Sequence, residues 1–243
     1  MEPKPYVLVT DGQERSALAI TRGLGRAGIP VIVGAETEKS LAGASRYCVA
    51  RWRYPSPSQQ PTQFISSLVE AVRQFDITAI VPPTDAALQA VAAQRDRFRP
   101  SITAMIPSLE SYDMVSDKYR LMKLAHELGI PIPNTVFVPD GNIAAVRDRV
   151  MTYPVVVKPG RSLVKIDEKW IKTSVHFVSH AEELTELYSR TSYLQHPSLI
   201  QQRIEGEGQG VFGLFDHGKP SALFAHRRIR EKPPAGGVSV FRE

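Results

Sequence analysis

The sequence predicts an α/β protein in two parts: a doubly wound parallel sheet, then an α+β domain. Three observations predict it. Short apolar runs alternate with amphipathic helices through the N-terminal half. A helix follows near residue 116 and is stopped by a glycine and two prolines. From about residue 154 strand-like segments dominate, with one helix among them.

Tyr6 to Thr10 reads as a short apolar strand. Ala17, Ile20, Leu24 and Ala27 then share one helical face, and Gly28 closes the helix. Pro30-Val31-Ile32-Val33 begins the next strand. So short a crossover implies parallel neighbours with a right-handed connection. A second amphipathic helix carries Phe64, Ile65, Leu68, Val72 and Phe75 and leads into the strand Ala79-Ile80-Val81. A third begins at Thr84 or Asp85 with Ala87, Leu88 and Val91 inward, and a strand at Thr103 to Ile106 ends the first part. The turn Asp11-Gly12-Gln13-Glu14-Arg15-Ser16 lacks the G-x-G-x-x-G of a dinucleotide site. The change of pattern divides the chain into 1–113 and 114–243.

In the second part Ser116 is placed to cap a helix whose buried stripe is Leu121, Met122, Ala125 and Leu128. Gly129, Pro131 and Pro133 end it. Strands follow at Pro154 to Lys158, Ser174 to Val178, Ser198 to Arg203, Gly210 to Phe215 and Pro220 to Arg227, with a helix at Glu182 to Arg190.

Composition narrows the classes. The 243 residues are 42% hydrophobic and 23% charged, an ordinary globular balance. A lone cysteine, Cys48, excludes an internal disulfide and a cysteine-built metal site and fits a reduced, cytoplasmic setting. The start MEPKPYVLVT lacks the apolar core of a signal peptide, and no run approaches the roughly 18 apolar residues of a membrane span. The net charge of +5 favours anionic partners without choosing among them. The basic run His226 to Lys232 has no interleaved aromatic residue, so nucleic acid is not expected. Arg51-Trp52-Arg53-Tyr54 does interleave but is short. The six histidines show no metal-ligand spacing and read as surface residues for the most part.

Four segments carry candidate chemistry. Lys158 ends the strand Tyr153-Pro154-Val155-Val156-Val157-Lys158-Pro159 and is either a fixed charge for a phosphate or a lysine snorkelling from a strand end. Lys118 lies in the first turn of the helix after Asp117, where a cation opposes the helix dipole unless an anion meets it; the alternative is an exposed lysine. Leu199 to Gly210 runs from an apolar strand into a loop with glycines at 206, 208 and 210, which is either a hairpin turn or a close backbone approach to a flat ligand. In that loop Glu207 is able to accept from two ribose hydroxyls. Along a strand, alternation puts Arg228 and Arg230 on one face, and Arg227 and Ile229 on the other.

In their order these motifs resemble the ATP-grasp superfamily, in particular carboxylate–amine ligases related to the carbamoyl-phosphate synthase large subunit. Asp117-Lys118 through Gly129-Ile130-Pro131-Ile132-Pro133-Asn134-Thr135 is similar to the family's opening helix and D-K … G-hydrophobic-P-x-P-x-T pattern. Tyr153 to Pro159 is similar to its Y/F-P-hydrophobic-V-K-P strand. Leu199 to Gly206 is similar to its hinge, with Gln201 where glutamate is frequent, and Arg230-Glu231-x-Pro-x-x-Gly-Gly to the segment beyond. The resemblance implies a pre-ATP-grasp domain over 1–113 and the N-terminal part of an ATP-grasp domain over 114–243, its lid and adenine hinge at 152–215. It implies that Lys118 and Lys158 hold the phosphates of ATP and that Gln201, with the backbone of Gln202, Arg203 and Ile204, reads the adenine edge. Glu207 would bind ribose, Arg228 would reach the triphosphate or an acyl-phosphate, and Gly160 to Thr173 would form a mobile lid. Magnesium is the implied metal, its ligands expected beyond residue 243, so a weak or inactive ligase is expected of these residues alone. The implied partners are a small carboxylate and an amine, with a homodimer or a completing chain; the alternative is a non-catalytic nucleotide- or partner-binding protein.

Overall fold

A computed structural model of the protein describes residues 5–150, 152–166, 169–232 and 238–243. The chain divides into two compact units, Met1–Ser116 and Asp117–Glu243. No helix among the described residues is long and apolar enough to cross a membrane.

Unit 1 runs β1 (Tyr6–Val9), α1 (Arg15–Arg26), β2 (Val31–Ala35), β3 (Cys48–Arg53), α2 (Pro61–Phe75), β4 (Ile77–Val81), α3 (Asp85–Ala93), β5 (Thr103–Ala104) and α4 (Leu109–Ser116). The strands pair in parallel in the order β3-β2-β1-β4-β5. Both faces of the sheet are covered, which is why β2 is buried at every position. Leu8, Ile32 and Ile80 pack with Phe64, Ile65 and Leu68 of α2 on one side, and Val7, Val9 and Val33 pack with Ala17 of α1 on the other. Each such side chain, fully buried, contributes roughly 1.5–3 kcal/mol of transfer free energy. Pro61 opens α2 at a position where its missing N–H costs nothing, and Thr84 caps α3 by accepting from the Ala87 N–H.

β3 is an element that the reading of Arg51-Trp52-Arg53-Tyr54 as a basic, aromatic stretch did not anticipate. Its burial alternates residue by residue, with the arginines outside and Trp52 turned in against Phe75. A parallel strand at the sheet edge buries one face only, so half of its sequence is polar.

At the carboxyl ends of β1 and β4 lies a polar knot. Asp11 is 1% exposed and has a left-handed backbone, φ 56. Its carboxylate accepts from Thr10 Oγ1 and Thr84 Oγ1, each at 2.9 Å, and its N–H donates to the Tyr54 hydroxyl. Burial raises the pKa of Asp11, and burial together with the Asp11 charge raises that of Tyr54. The Asp11–Thr84 bond crosses the point where strand order reverses, the place where open α/β sheets ordinarily receive ligands.

Unit 2 opens with α5 (Lys118–Glu127) and β6 (Thr135–Val138). β7 (Val155–Pro159), β8 (Leu163–Ile166), β9 (Lys169–Lys172) and β10 (His176–Val178) follow, then α6 (Ala181–Arg190) and β11 (Ser198–Gln202). The chain continues through β12 (Gln209–Asp216), β13 (Lys219–Lys232) and β14 (Val238–Arg242). An antiparallel sheet in the order β10-β7-β11-β6 forms the core. One face, with Val138, Val155, Val157 and Ile200, packs against Leu184, Leu187 and Tyr188 of α6. The three consecutive valines of β7 are all buried, as their run predicts.

Asp117, not Ser116, caps α5: its side chain accepts from the N–H groups of Tyr119 and Arg120. Ser116 instead ends α4. The segment expected as a loop from Gly160 to Thr173 contains the antiparallel pair β8–β9, with Asp167 and Glu168 outside the described residues.

The third sheet of the unit, β12-β13-β14, is unusual in its exposure. Phe212, Leu214 and Phe224 point to one side of it, and Val211 and Leu223 to the other. Both sets are solvent-accessible, with Val211 at 73% and Leu223 at 65%. His226 is the exception to the expectation of surface histidines, being buried in a triangle with the rings of Phe212 and Phe224 and close to Gly210.

Candidate functional site

The site of unit 2 begins with a joint between α5 and β7. Besides capping the helix at 3.0 and 3.3 Å, Asp117 forms an ion pair with Arg161 at 3.3 Å. The Lys118 N–H donates to the Gly160 carbonyl at 2.7 Å, and the Gly160 N–H donates to the Pro197 carbonyl at 2.8 Å. A side chain on residue 160 would place its Cβ 3.0 Å from Asp117 Oδ1 and 2.9 Å from the Pro197 oxygen, so glycine lets the three segments close. The joint holds the first residue of α5 beside the end of β7.

Its consequence is electrostatic. Lys158, half-buried near the end of β7, has its pKa lowered by burial and by the charge of Lys118. Lys118 Nζ donates to Ser162 Oγ at 3.2 Å. Among the described residues neither lysine forms an ion pair. Two ammonium groups held near each other, one of them desolvated, make a site that is relieved when an anion arrives.

Lys158 opens onto a cleft of about 1270 Å³. Pro133, Val156, Val175, Phe177 and Ile204 form apolar wall, and the guanidinium of Arg203 lies over the Phe177 ring at 5.8 Å. The chain from Gln202 to Gly208 forms one rim and Arg228 to Glu231 the other. From Arg203 to Glu207 this rim is irregular backbone outside the sheet ladders, while at its ends the Gln202 N–H donates to the Asn134 carbonyl and the Gly208 carbonyl accepts from the Arg228 N–H.

The structure thus gathers Lys158, Gln202, Arg203, Ile204, Glu207 and Arg228 around one cleft. Lys118 acts on it through Lys158 rather than by lining its wall. Gln201 is placed differently: it is 2% exposed and its amide donates to Thr135 Oγ1 at 2.9 Å. Glu207 faces Arg227 at 3.6 Å, and Arg227 also pairs with Glu243. Arg228 pairs with Glu231 at 3.1 Å, and its N–H donates to the Gly208 carbonyl. The alternation expected for Arg228 and Arg230 against Ile229 is broken by register shifts on either side of Arg230, so all three line the cleft. Gly208 and Gly210 serve close packing: a Cβ at 208 would meet Glu231 and Arg228, and one at 210 the His226 ring. Phe177 and the Thr135–Gln201 bond are site features that spacing along the chain did not reveal. No group of three His, Cys, Asp or Glu side chains among the described residues is arranged to hold a metal ion.

No protein-family model and no curated protein matches this sequence. Solved structures do. An L-amino acid ligase from Bacillus licheniformis superposes with a TM-score of 0.64 at 14% identity, over 100% of this chain and 54% of that one. N5-carboxyaminoimidazole ribonucleotide synthetase from Thermotoga maritima gives 0.63 at 16% identity, over 93% of this chain and 54% of that one. Biotin carboxylase from Campylobacter jejuni, in a complex with a β-γ-ATP ligand, gives 0.62 at 14% identity, over 93% and 51%. The chain therefore shares the ATP-grasp type of fold with several ligases and carboxylases, and it spans about half the length of these structures.

Proposed function

We propose that unit 2 binds ATP, and that the chain is the nucleotide-holding portion of a carboxylate–amine ligase acting through an acyl-phosphate. The observation that carries the reading is the pair Lys118 and Lys158, held beside an apolar cleft whose rim from Arg203 to Glu207 is irregular backbone. The base would lie between Val156, Pro133 and Ile204, reading backbone groups of 202–204, and the ribose would reach Glu207. Glu207 would exchange part of its interaction with Arg227 for the ribose hydroxyls. The phosphates would meet Lys158, with Lys118 and Arg228 adding charge. Gln201 in this reading supports the hinge from inside by its bond to Thr135.

The reaction of such a ligase has two steps. A carboxylate oxygen attacks the γ-phosphorus of ATP, the bond to the β-phosphate oxygen breaks, and ADP leaves. An amine then attacks the acyl carbon, and inorganic phosphate departs with the bonding pair. The protein's part is positioning and charge neutralisation, which suits fixed lysines and arginines. No group of three His, Cys, Asp or Glu side chains among the described residues is placed to hold magnesium without the oxygens of the nucleotide's phosphates. A homodimer or a completing chain and a cytoplasmic setting belong to the same proposal.

Calorimetric titration of the 243-residue chain with ATP tests it. Saturable binding is expected, weakened at least tenfold in Lys158→Ala. Failure to bind millimolar ATP, or equal affinity in the variant, overturns the reading. ADP release with magnesium, amino acids and ATP, above the same variant, would decide for turnover over binding alone.

A further inference from the structure

A second cleft of unit 2, about 1010 Å³, lies at the free side of β6. β6 is the terminal strand of its sheet, pairing only with β11. The hydrogen bond from the Gln202 N–H to the Asn134 carbonyl fixes the phase of that pairing. In an antiparallel ladder hydrogen-bonded pairs alternate, so Asn134, Val136 and Val138 face β11. The N–H and C=O groups of Thr135 and Phe137 therefore point outward, and among the described residues they have no backbone partner.

The cleft follows this edge. It is lined from one face of the sheet by Val136 and Ile200 and from the other by Thr135 and Phe137. Residues of both faces meet in one groove only where the groove runs along a strand's edge or end. Its width is set by α5 on one flank, with Tyr119 and Lys123, and by Arg149 and Val150 on the other. Lys123 and Arg149 are exposed and, among the described residues, make no ion pair. His126 and Glu127 complete the charged lining, so the balance with neutral histidine is one positive charge.

We propose that this edge receives an extended, acidic peptide segment of another protein, which adds to the sheet as a strand beside β6. Main-chain bonds to Thr135 and Phe137 would supply the register, as in other strand additions. Carboxylates of the peptide would meet Lys123 and Arg149 and steer its approach. The alternating sides of an added strand match the groove, one row of side chains facing Tyr119 and the other Val150. The groove meets the Lys158 cleft at Pro133 and Gln202, and the proposal does not depend on nucleotide binding.

The test uses a fluorescein-labelled eight-residue peptide in which adjacent pairs of glutamates are set between valines, so that carboxylates face both sides of the strand, with the same peptide carrying lysine for glutamate as control. Anisotropy on the full chain is expected to show saturable binding of the acidic peptide, at least tenfold tighter than the basic one and weakened as salt is raised. Charge reversal at two exposed positions, Lys123→Glu with Arg149→Glu, is expected to remove it while far-ultraviolet circular dichroism is unchanged. Hydrogen exchange by NMR is expected to show slowed exchange at the Thr135 and Phe137 amides on binding. Absence of binding at millimolar peptide overturns the proposal, as does equal binding of both peptides. Binding without protection of those two amides overturns the strand addition. A concentration-dependent dimer that protects the same amides without peptide would assign the edge to a second copy and overturn the proposed partner.

Discussion

Replacing Asp117 by alanine tests how the two lysines are brought together. The carboxylate caps α5 through Tyr119 and Arg120 and pairs with Arg161 at 3.3 Å. Loss of an aspartate cap costs about 1 kcal/mol. The ion pair is partly exposed, its side chains at 13% and 37%, so about another 1 kcal/mol is assigned to it, below the value for a dry site. The sum, about 2 kcal/mol, corresponds to a drop of roughly 6–10 °C in the melting of a domain of this size. Asp117→Asn keeps the cap acceptor and loses the charge, so about half the effect is expected. Calorimetric melting of the wild type and both variants measures it. A shift under 2 °C for Asp117→Ala would refute the reasoning, and identical losses in the two variants would refute the share given to the cap. ATP affinity should fall in Asp117→Ala at temperatures where the fold is intact, because Lys118 is no longer fixed beside Lys158.

Other outcomes follow from the same structure. The lowered pKa of Lys158 means that between its folded value and 10.5 the unfolded chain binds the extra proton. Its contribution to stability therefore rises with pH across that window, and its cost is present in full below it. Lys118→Ala should raise the Lys158 pKa, seen by nitrogen-15 NMR of the lysine side chains, and ATP binding should take up protons, seen by calorimetry in buffers of different ionisation enthalpy. An unchanged Lys158 titration would remove Lys118 from the site. Asp11 has the opposite sign for a carboxylate: its folded pKa is raised above 3.8, so its contribution to stability is greatest below 3.8 and is lost as pH rises through the folded value. Asp11→Asn, which tolerates the left-handed backbone, should leave unit 1 equally or up to about 1 kcal/mol more stable at pH 7; a clear loss in urea unfolding would contradict this. Gly141→Ala should cost about 3 kcal/mol, since φ is +75 and the new Cβ would lie 2.7 Å from Gln195 Cα and 2.8 Å from the Leu194 oxygen, both backbone atoms. A melting shift near zero would show that the 141 and 195 segments are separable.

Elements that bury a whole face were legible in the sequence; those that depend on distant partners were not. The valines before Lys158 announce a central strand because hydrophobicity at every position has few other uses. β3 was hidden because its arginines occupy the exposed positions of an edge strand. β13 extends to Lys232, past the expected end at Arg227, because β14 pairs with its last residues and no local signal carries that information. At the candidate site, the lysines and the 201–207 segment stand out in the sequence at element ends, and the structure places Lys158 and residues 202–207 around one cleft. The role of Gln201 does not stand out, since its partner is Thr135, 66 residues away. Asp117 and Ser116 are both good capping residues, and the choice between them came from Gly160 and Arg161, which lock the aspartate in place.

The two-sided apolar sheet β12-β13-β14 bears on how these residues behave in solution. Its outer strands leave edges open, and its phenylalanines and leucines are available on both sides. Until other polypeptide covers it, such a sheet is a client for chaperones and a seed for aggregation. Aggregation of these 243 residues should therefore fall when that sheet is covered. Dye-binding to exposed apolar surface, and recovery of yield with Phe212→Ser and Leu223→Ser, would register the same debt of burial at the bench.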